Sequence, residues 1–340
     1  MQKGAFCRFI FCFAICLSII IYNGVKIINP VKADIKEETE TYNISFFDDS
    51  FPIEKEEVKA ETKEETTVNT VPASTGAVKG NIISKYISPY SANLSFDGVY
   101  VKNSTTLTPN IKNLLNSNLG FKIKETTEPQ VLIMHTHTTE TFMETASSTY
   151  TENFKARTTD NNKNMAKVGE IIAERLNGVG IVTLHDKTQH DYPEYTGSYS
   201  RAAKTVTSYL KKYPSIKIVL DLHRDAVTSG ESDKVKLVTE IKGKKAAQVM
   251  LVMGSQSGSV TNYPNWQENF KLAVKLQQTI EKMYPTLARP IMLMSKNYNQ
   301  SLSTGSLLIE FGTDANSLEE AHYSANLVAD ALVSLLTSLK

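Results

Sequence analysis

Five continuous apolar runs, rich in Val, Ile and Leu, lie beyond residue 130, at 131–135, 180–184, 218–222, 249–253 and 307–311. Runs of this length without polar alternation predict central strands buried on both faces. Helical periodicity fills the gaps between them. Met165, Val168, Ile171, Ile172 and Leu176 share one face of a segment that follows Asp160 as its N-cap and closes at Gly178. Asn265-x-x-Glu268 and Ser317-x-x-Glu320 have the spacing of capping boxes and predict helices over 266–283 and 318–339. A short helix is predicted within Asn110 to Leu119. This alternation predicts an α/β domain over 129–340, with a mostly parallel central sheet covered by helices on both faces. Residues 81–128 read as an N-terminal extension of that domain.

The first 80 residues follow other rules. Phe9 to Tyr22 is an unbroken apolar run behind a short basic start with Lys3 and Arg8. It reads as a signal-peptide core or a membrane anchor. Val31-Lys32-Ala33 offers a cleavage site, but Asn23 to Ile28 extends the apolar stretch and favours an uncleaved anchor over 1–33. Residues 34–70 then carry twelve Asp/Glu against four Lys. Such a stretch buries too little surface to offset its chain entropy, so 34–80 is expected to be an acidic, disordered linker. The remainder, 71–340, is left at +5. That mild excess suits an anionic polymer and is also ordinary surface charge.

All three cysteines (Cys7, Cys12, Cys16) fall in the apolar start. Disulfide frameworks, thiolate metal sites and cysteine nucleophiles are therefore excluded from the rest of the chain. A metal there must be held by His, Asp or Glu.

Three of the strands end in such groups. Val131-Leu-Ile-Met breaks into His135-Thr-His137-Thr-Thr-Glu140, Ile218-Val-Leu into Asp221-Leu-His223-Arg224-Asp225, and Leu307-Leu-Ile runs into Glu310-Phe. Open α/β sheets place their sites beyond the carboxyl ends of strands. The set predicts a divalent-metal hydrolase centre. On an extended strand His135 and His137 would share a face, and the turn that follows decides which one reaches a metal. Glu140 is the expected carboxylate ligand, with Asp160 its rival from the predicted helix start. A Glu buried among Leu and Phe has its pKa pushed upward, which suits Glu310 to proton transfer; pairing with Arg224 is its structural alternative. Asp221 and Asp225 are placed to orient His223, or to cap turns. His185, His190 and His322 read as solvated or structural.

VLIMHTHTTETF (131–142), NMAKVGEIIAERL (164–176), DLHRDA (221–226) and LLIEFGTDANSLEEA (307–321) resemble the stage II sporulation protein P family. The resemblance runs from about residue 95 to the C-terminus. It implies an amidase-like fold and a zinc-dependent peptidoglycan hydrolase related to the N-acetylmuramoyl-L-alanine amidases, with endopeptidase action on stem-peptide cross-links. Aligned by strand ends, the amidase ligands fall on His137 and His223 and the catalytic Glu on Glu310. Where amidases carry Gly-His-Gly-Gly this chain has His-Thr-His-Thr, and no Glu stands at their ligand position. The resemblance also implies stage II sporulation proteins D and M as partners, and action at the sporulation septum from a membrane anchor; no nucleic-acid partner is expected.

Other classes fit less well. A barrel amidohydrolase needs about 250 residues and usually places Asp on its last strand. A metallo-β-lactamase fold would follow His-x-His with Asp-His. A wall-binding scaffold would keep the fold and tether without the His137, His223 and Glu310 constellation.

Overall fold

The computed structural model describes residues 43–44 and 76–340. Its strands are β1 (Asn43–Ile44), β2 (Val78–Lys85), β3 (Leu94–Phe96), β4 (Val99–Asn103), β5 (Val131–Met134), β6 (Thr149–Thr151), β7 (Thr183–His185), β8 (Ile218–Asp225), β9 (Val227–Ser229), β10 (Asp233–Ile241), β11 (Lys244–Ala247), β12 (Val249–Gly254), β13 (Ile291–Met294) and β14 (Ser306–Thr313). The α-helices among these residues are α1 (Ile111–Asn116), α2 (Met165–Gly178), α3 (Ser198–Lys212), α4 (Trp266–Met283) and α5 (Leu318–Thr337).

Eight strands form the main sheet in the order β3-β4-β13-β12-β14-β8-β5-β7. Side chains alternate between its faces as a pleated strand requires. Val131 and Ile133 of β5, Leu220 and Leu222 of β8, and Ile309 and Phe311 of β14 enter one large core with α1, α2, α4 and α5. Leu132, Met134 and Val219 point the other way, onto Ala202 and Val206 of α3. Met250, Val252 and Leu308 share that second face with Met292. Helices do cover both faces, but four lie on one side and one on the other.

The main sheet is mixed: five of its seven neighbouring strand pairs run parallel and two run antiparallel. β12 runs antiparallel to β14, and β3 antiparallel to β4. The cause lies in the connections. β5 reaches β7 through α2, and β12 reaches β13 through α4, both as parallel neighbours. After β8, however, the chain makes an antiparallel excursion through β9, β10 and β11 and enters β12 one residue beyond β11. Without a crossover helix the direction of β12 is set by that excursion.

The excursion belongs to a second sheet of order β1-β9-β10-β2-β6, with β11 paired to β10. β2 begins at Val78, inside the segment expected to be linker, and β1 pairs with Thr228 and Val227. The 81–128 extension supplies β4, which pairs parallel to β13 within the main sheet. The expected anchor and most of the expected linker lie outside the described residues. Among the described residues no helix is long and apolar enough to cross a membrane.

Other expectations also shift. α2 starts at Met165 with Asn164 as its cap, and Asp160 instead accepts from the Asn162 N–H in an exposed turn. The Ser317–Glu320 capping box forms in full, whereas the Asn265 amide donates to Ser303 O and makes no cap. α3 carried no recognised sequence signal.

Candidate metal centre

β5 ends at Met134 because Thr136 is taken by β8: its N–H and hydroxyl donate to the two Asp221 oxygens at 2.8 and 2.7 Å. The turn that results separates the histidines of His-x-His. His135 goes beneath α2, with Nδ1 3.1 Å from Leu222 O and Nε2 2.9 Å from His185 Nε2. His137 goes to the opposite side, toward α3, where Nε2 meets the Ser198 hydroxyl at 3.1 Å.

Strand alternation brings the other groups to His137. On β8 the core-facing Leu220 and Leu222 leave Asp221 and His223 on the opposite face, and Glu310 of β14 pairs in register with His223. Glu140, three residues past His137, completes the cluster. Its Oε1 is 3.5 Å from His137 Nδ1 and its Oε2 3.7 Å from His223 Nδ1. His137, Glu140 and His223 are all buried, and one ligand atom from each lies within 4.8 Å of the others.

The spacing suits a metal. Ligands about 2.0–2.2 Å from a tetrahedral ion stand roughly 3.3–3.6 Å apart, longer than hydrogen bonds and close to these separations. Each imidazole also has a partner on its far nitrogen, as metal-binding histidines ordinarily do: Ser198 for His137, and for His223 the Asp221 carboxylate, 2.8 Å away.

The electrostatics agree. Burial alone would raise the Glu140 pKa, but Arg224, His137 and His223 outweigh it and hold the group far below the usual carboxylate range. The Arg224 N–H donates to Glu140 Oε2 at 3.1 Å, and its guanidinium ties down Thr141 O and Ala156 O. Arg224 thus serves Glu140 and is not the partner of Glu310. Burial pushes His137 down; His223 is equally buried, yet Asp221 lifts it to about 9. Glu310 stands well above the carboxylate range through burial and the negative charges of Asp225 and Glu140, opposed by His223 and Arg289. Its Oε2 has no hydrogen-bond partner. Asp225 is held by Arg289 at 3.0 Å.

Of the groups singled out in the sequence, His137, Glu140, His223, Asp221 and Glu310 converge here. Asp225 and Arg224 stand behind them. His135 faces away and Asp160 is exposed at a turn. His190 is buried between His135 O and the Thr205 hydroxyl.

The sequence reading missed the cover. Tyr195 stacks on the His137 ring at 4.7 Å and 27°, and Tyr199 meets it edge-on at 5.6 Å. The Arg157 guanidinium lies 4.7 Å from the Tyr195 ring centre and pairs with Asp191 and Glu140. Arg201 donates to the carbonyls of His190, Glu194 and Thr196, holding this segment in place. The available signal was the cluster of tyrosines at 192, 195 and 199.

A buried His–Glu–His cluster at the strand ends of a mixed α/β sheet, with a second carboxyl beside it, defines a protein built around a candidate metal centre. The model of the family "Stage II sporulation protein P (SpoIIP)" matches residues 21–333, and the chain belongs to that family. It is 31% identical over 211 residues to stage II sporulation protein P of Bacillus subtilis (strain 168), covering 59% of this chain. It spans about half the length of that relative, 49%. Among solved structures it is similar to N-acetylmuramoyl-L-alanine amidase AmiC2 of Nostoc punctiforme, at 12% identity and TM-score 0.35, over 62% of this chain and 96% of that one. The CwlD amidase of Clostridioides difficile, solved with the GerS lipoprotein, gives 9% identity and TM-score 0.36, over 62% and 98%. Likeness at these scores carries no argument about activity.

Proposed function

We propose that the protein is a zinc-dependent peptidoglycan hydrolase of sporulation. It cuts the amide between the lactyl group of muramic acid and L-Ala, and stem-peptide cross-links as well. The observation that carries the reading is the Glu310 carboxyl, buried and unbonded at Oε2, beside His137, Glu140 and His223. These three residues would hold the zinc, which when bound supplies Lewis-acid polarisation of a carbonyl and of water.

The chain's own groups do the rest. Asp221 and Ser198 orient the two imidazoles. Burial lowers the local dielectric and so strengthens every charge in the site. Glu310, as the carboxylate, accepts a proton at Oε2 from the attacking water and returns it to the leaving amine, and the upward push on its pKa makes it the stronger base. The apolar run at 9–22 and the acidic residues behind it support an anchored enzyme at the septal membrane, with stage II sporulation proteins D and M as partners. This placement rests on sequence and family membership.

The test incubates the purified full chain, with its zinc content measured, with cross-linked peptidoglycan beside Glu310→Gln, and reads products by mass spectrometry. Free stem peptides that require zinc and Glu310 are expected, and halved cross-links would add the endopeptidase. An intact wall with no zinc bound would leave a wall-binding scaffold in place of an enzyme.

A further inference from the structure

Tyr199 stands in the first turn of α3, next to the Ser198 that holds His137. Its ring lies between those of His137 and Tyr298, with centroids at 5.6 and 6.3 Å. Its carbonyl accepts from Asn299 Nδ2 at 2.8 Å. Tyr298 and Asn299 both hold left-handed backbone, φ 52° and 56°, which residues with side chains seldom adopt. Backbone of that kind gathers at functional sites. The Tyr199 ring thus contacts two other rings while Asn299 holds its backbone.

Its hydroxyl is the anomaly. The oxygen is shut off from solvent and has no hydrogen-bond partner, whereas a buried tyrosine O–H ordinarily finds one. It lies near enough to Asp221, Glu310 and Glu140 for their charges to act on it. It is sealed in as completely as Glu310 Oε2, another buried oxygen without a partner. A group that enters the cluster to reach Glu310 therefore comes to a waiting donor.

We propose that Tyr199 is a catalytic residue whose O–H donates to the carbonyl oxygen of the scissile amide as negative charge collects there. The inference rests on the amide-hydrolase reading above. In the step, the water oxygen bonds to the carbonyl carbon while one of its protons passes to Glu310 Oε2. The C–N bond then breaks, and that proton moves to the departing nitrogen. Tyr199 keeps its proton throughout. Its hydrogen bond tightens as the carbonyl oxygen becomes an oxyanion and relaxes when the carboxylic acid forms. A donor aimed at developing charge lowers the barrier more than it aids ground-state binding.

The experiment compares the full-length wild type with Tyr199→Phe, which keeps the ring and its contact with His137. Zinc content and melting midpoint should be unchanged, because removing an unbonded hydroxyl breaks no existing bond. With peptidoglycan fragments, kcat should fall about 10²–10³-fold and KM stay within about threefold. In a turnover-free arm, calorimetry with a phosphinate analogue of the amide should show Tyr199→Phe binding more weakly by a similar factor. Equal kcat and equal phosphinate affinity would overturn the proposal, as would loss of zinc or a lower melting midpoint, which would make the hydroxyl structural. Failure of the hydrolase reading is seen separately, as a wild type that leaves the amide intact. The phosphinate comparison still decides the role of Tyr199 in that case.

Discussion

Two histidine pairs sit on opposite sides of β5 and cross in nearly the same way. The ring centroids of His137 and His223 are 5.1 Å apart at 82°, and those of His135 and His185 5.2 Å apart at 74°. The first pair surrounds Glu140 and touches Asp221. The second has a ring nitrogen of each residue turned to the other, and Gly169 of α2 packed against both. Burial, with the neighbouring imidazole, pushes His135 down to about 3; burial and Lys187 push His185 to about 4. Two imidazoles at the right distance are thus not in themselves a metal site. The anions beside them decide whether the pair can take up a cation or stays neutral and acts as packing.

Removing the anion should break the difference most. Glu140→Gln keeps the shape and deletes the charge, so zinc affinity is expected to fall more than about 100-fold, read as metal content after dialysis. A variant that kept its zinc would remove Glu140 from the ligand set. Asp221→Asn acts one step further out and should weaken zinc about 10–100-fold in a chelator competition.

The neutral pair answers to packing. In Gly169→Ala the new Cβ would lie 2.5 Å from His185 Nε2 and 2.7 Å from His135 Nε2. Overpacking of this kind costs about 1–3 kcal/mol, offset by up to about 1 kcal/mol from alanine's better helix propensity. Denaturant unfolding should show the net loss, with zinc content unchanged. A further effect, confined to acid, is on stability. The folded pKa of His185, about 4, lies below its ordinary 6.5. The unfolded chain therefore binds the extra proton first, and this contribution is complete above pH 6.5 and lost as pH falls toward 4. His185→Gln should flatten the fall in melting midpoint across that window. An unchanged slope would mean that the pair does not set it.

The elements that sequence revealed are those whose burial is symmetrical. β8, β12 and β14 announce themselves because both faces are covered, and His223 and Glu310 stand out as polar groups set in apolar strands. Strand direction left no such trace, because an apolar run reads alike either way and the course of β12 depends on the hairpin before it. α3 escaped notice because only Ser198, Ala202 and Val206 are buried along it. The choice between His135 and His137 was not legible either. It turns on Thr136 meeting Asp221, 85 residues away. Tyr195 and Arg157 come from segments whose meeting depends on the finished fold.

The cover over the cluster has a consequence for timing. His137, Glu140, His223 and Glu310 are each 2% exposed or less. Tyr195, backed by Arg157 and by the grip of Arg201 on its flanks, closes the His137 side like a shutter. A bulky polymer could not reach these groups while that shutter is down. On the hydrolase reading proposed above, a centre closed in this way is latent by construction: meeting the wall would not be enough to cut it until residues 191–197 gave way.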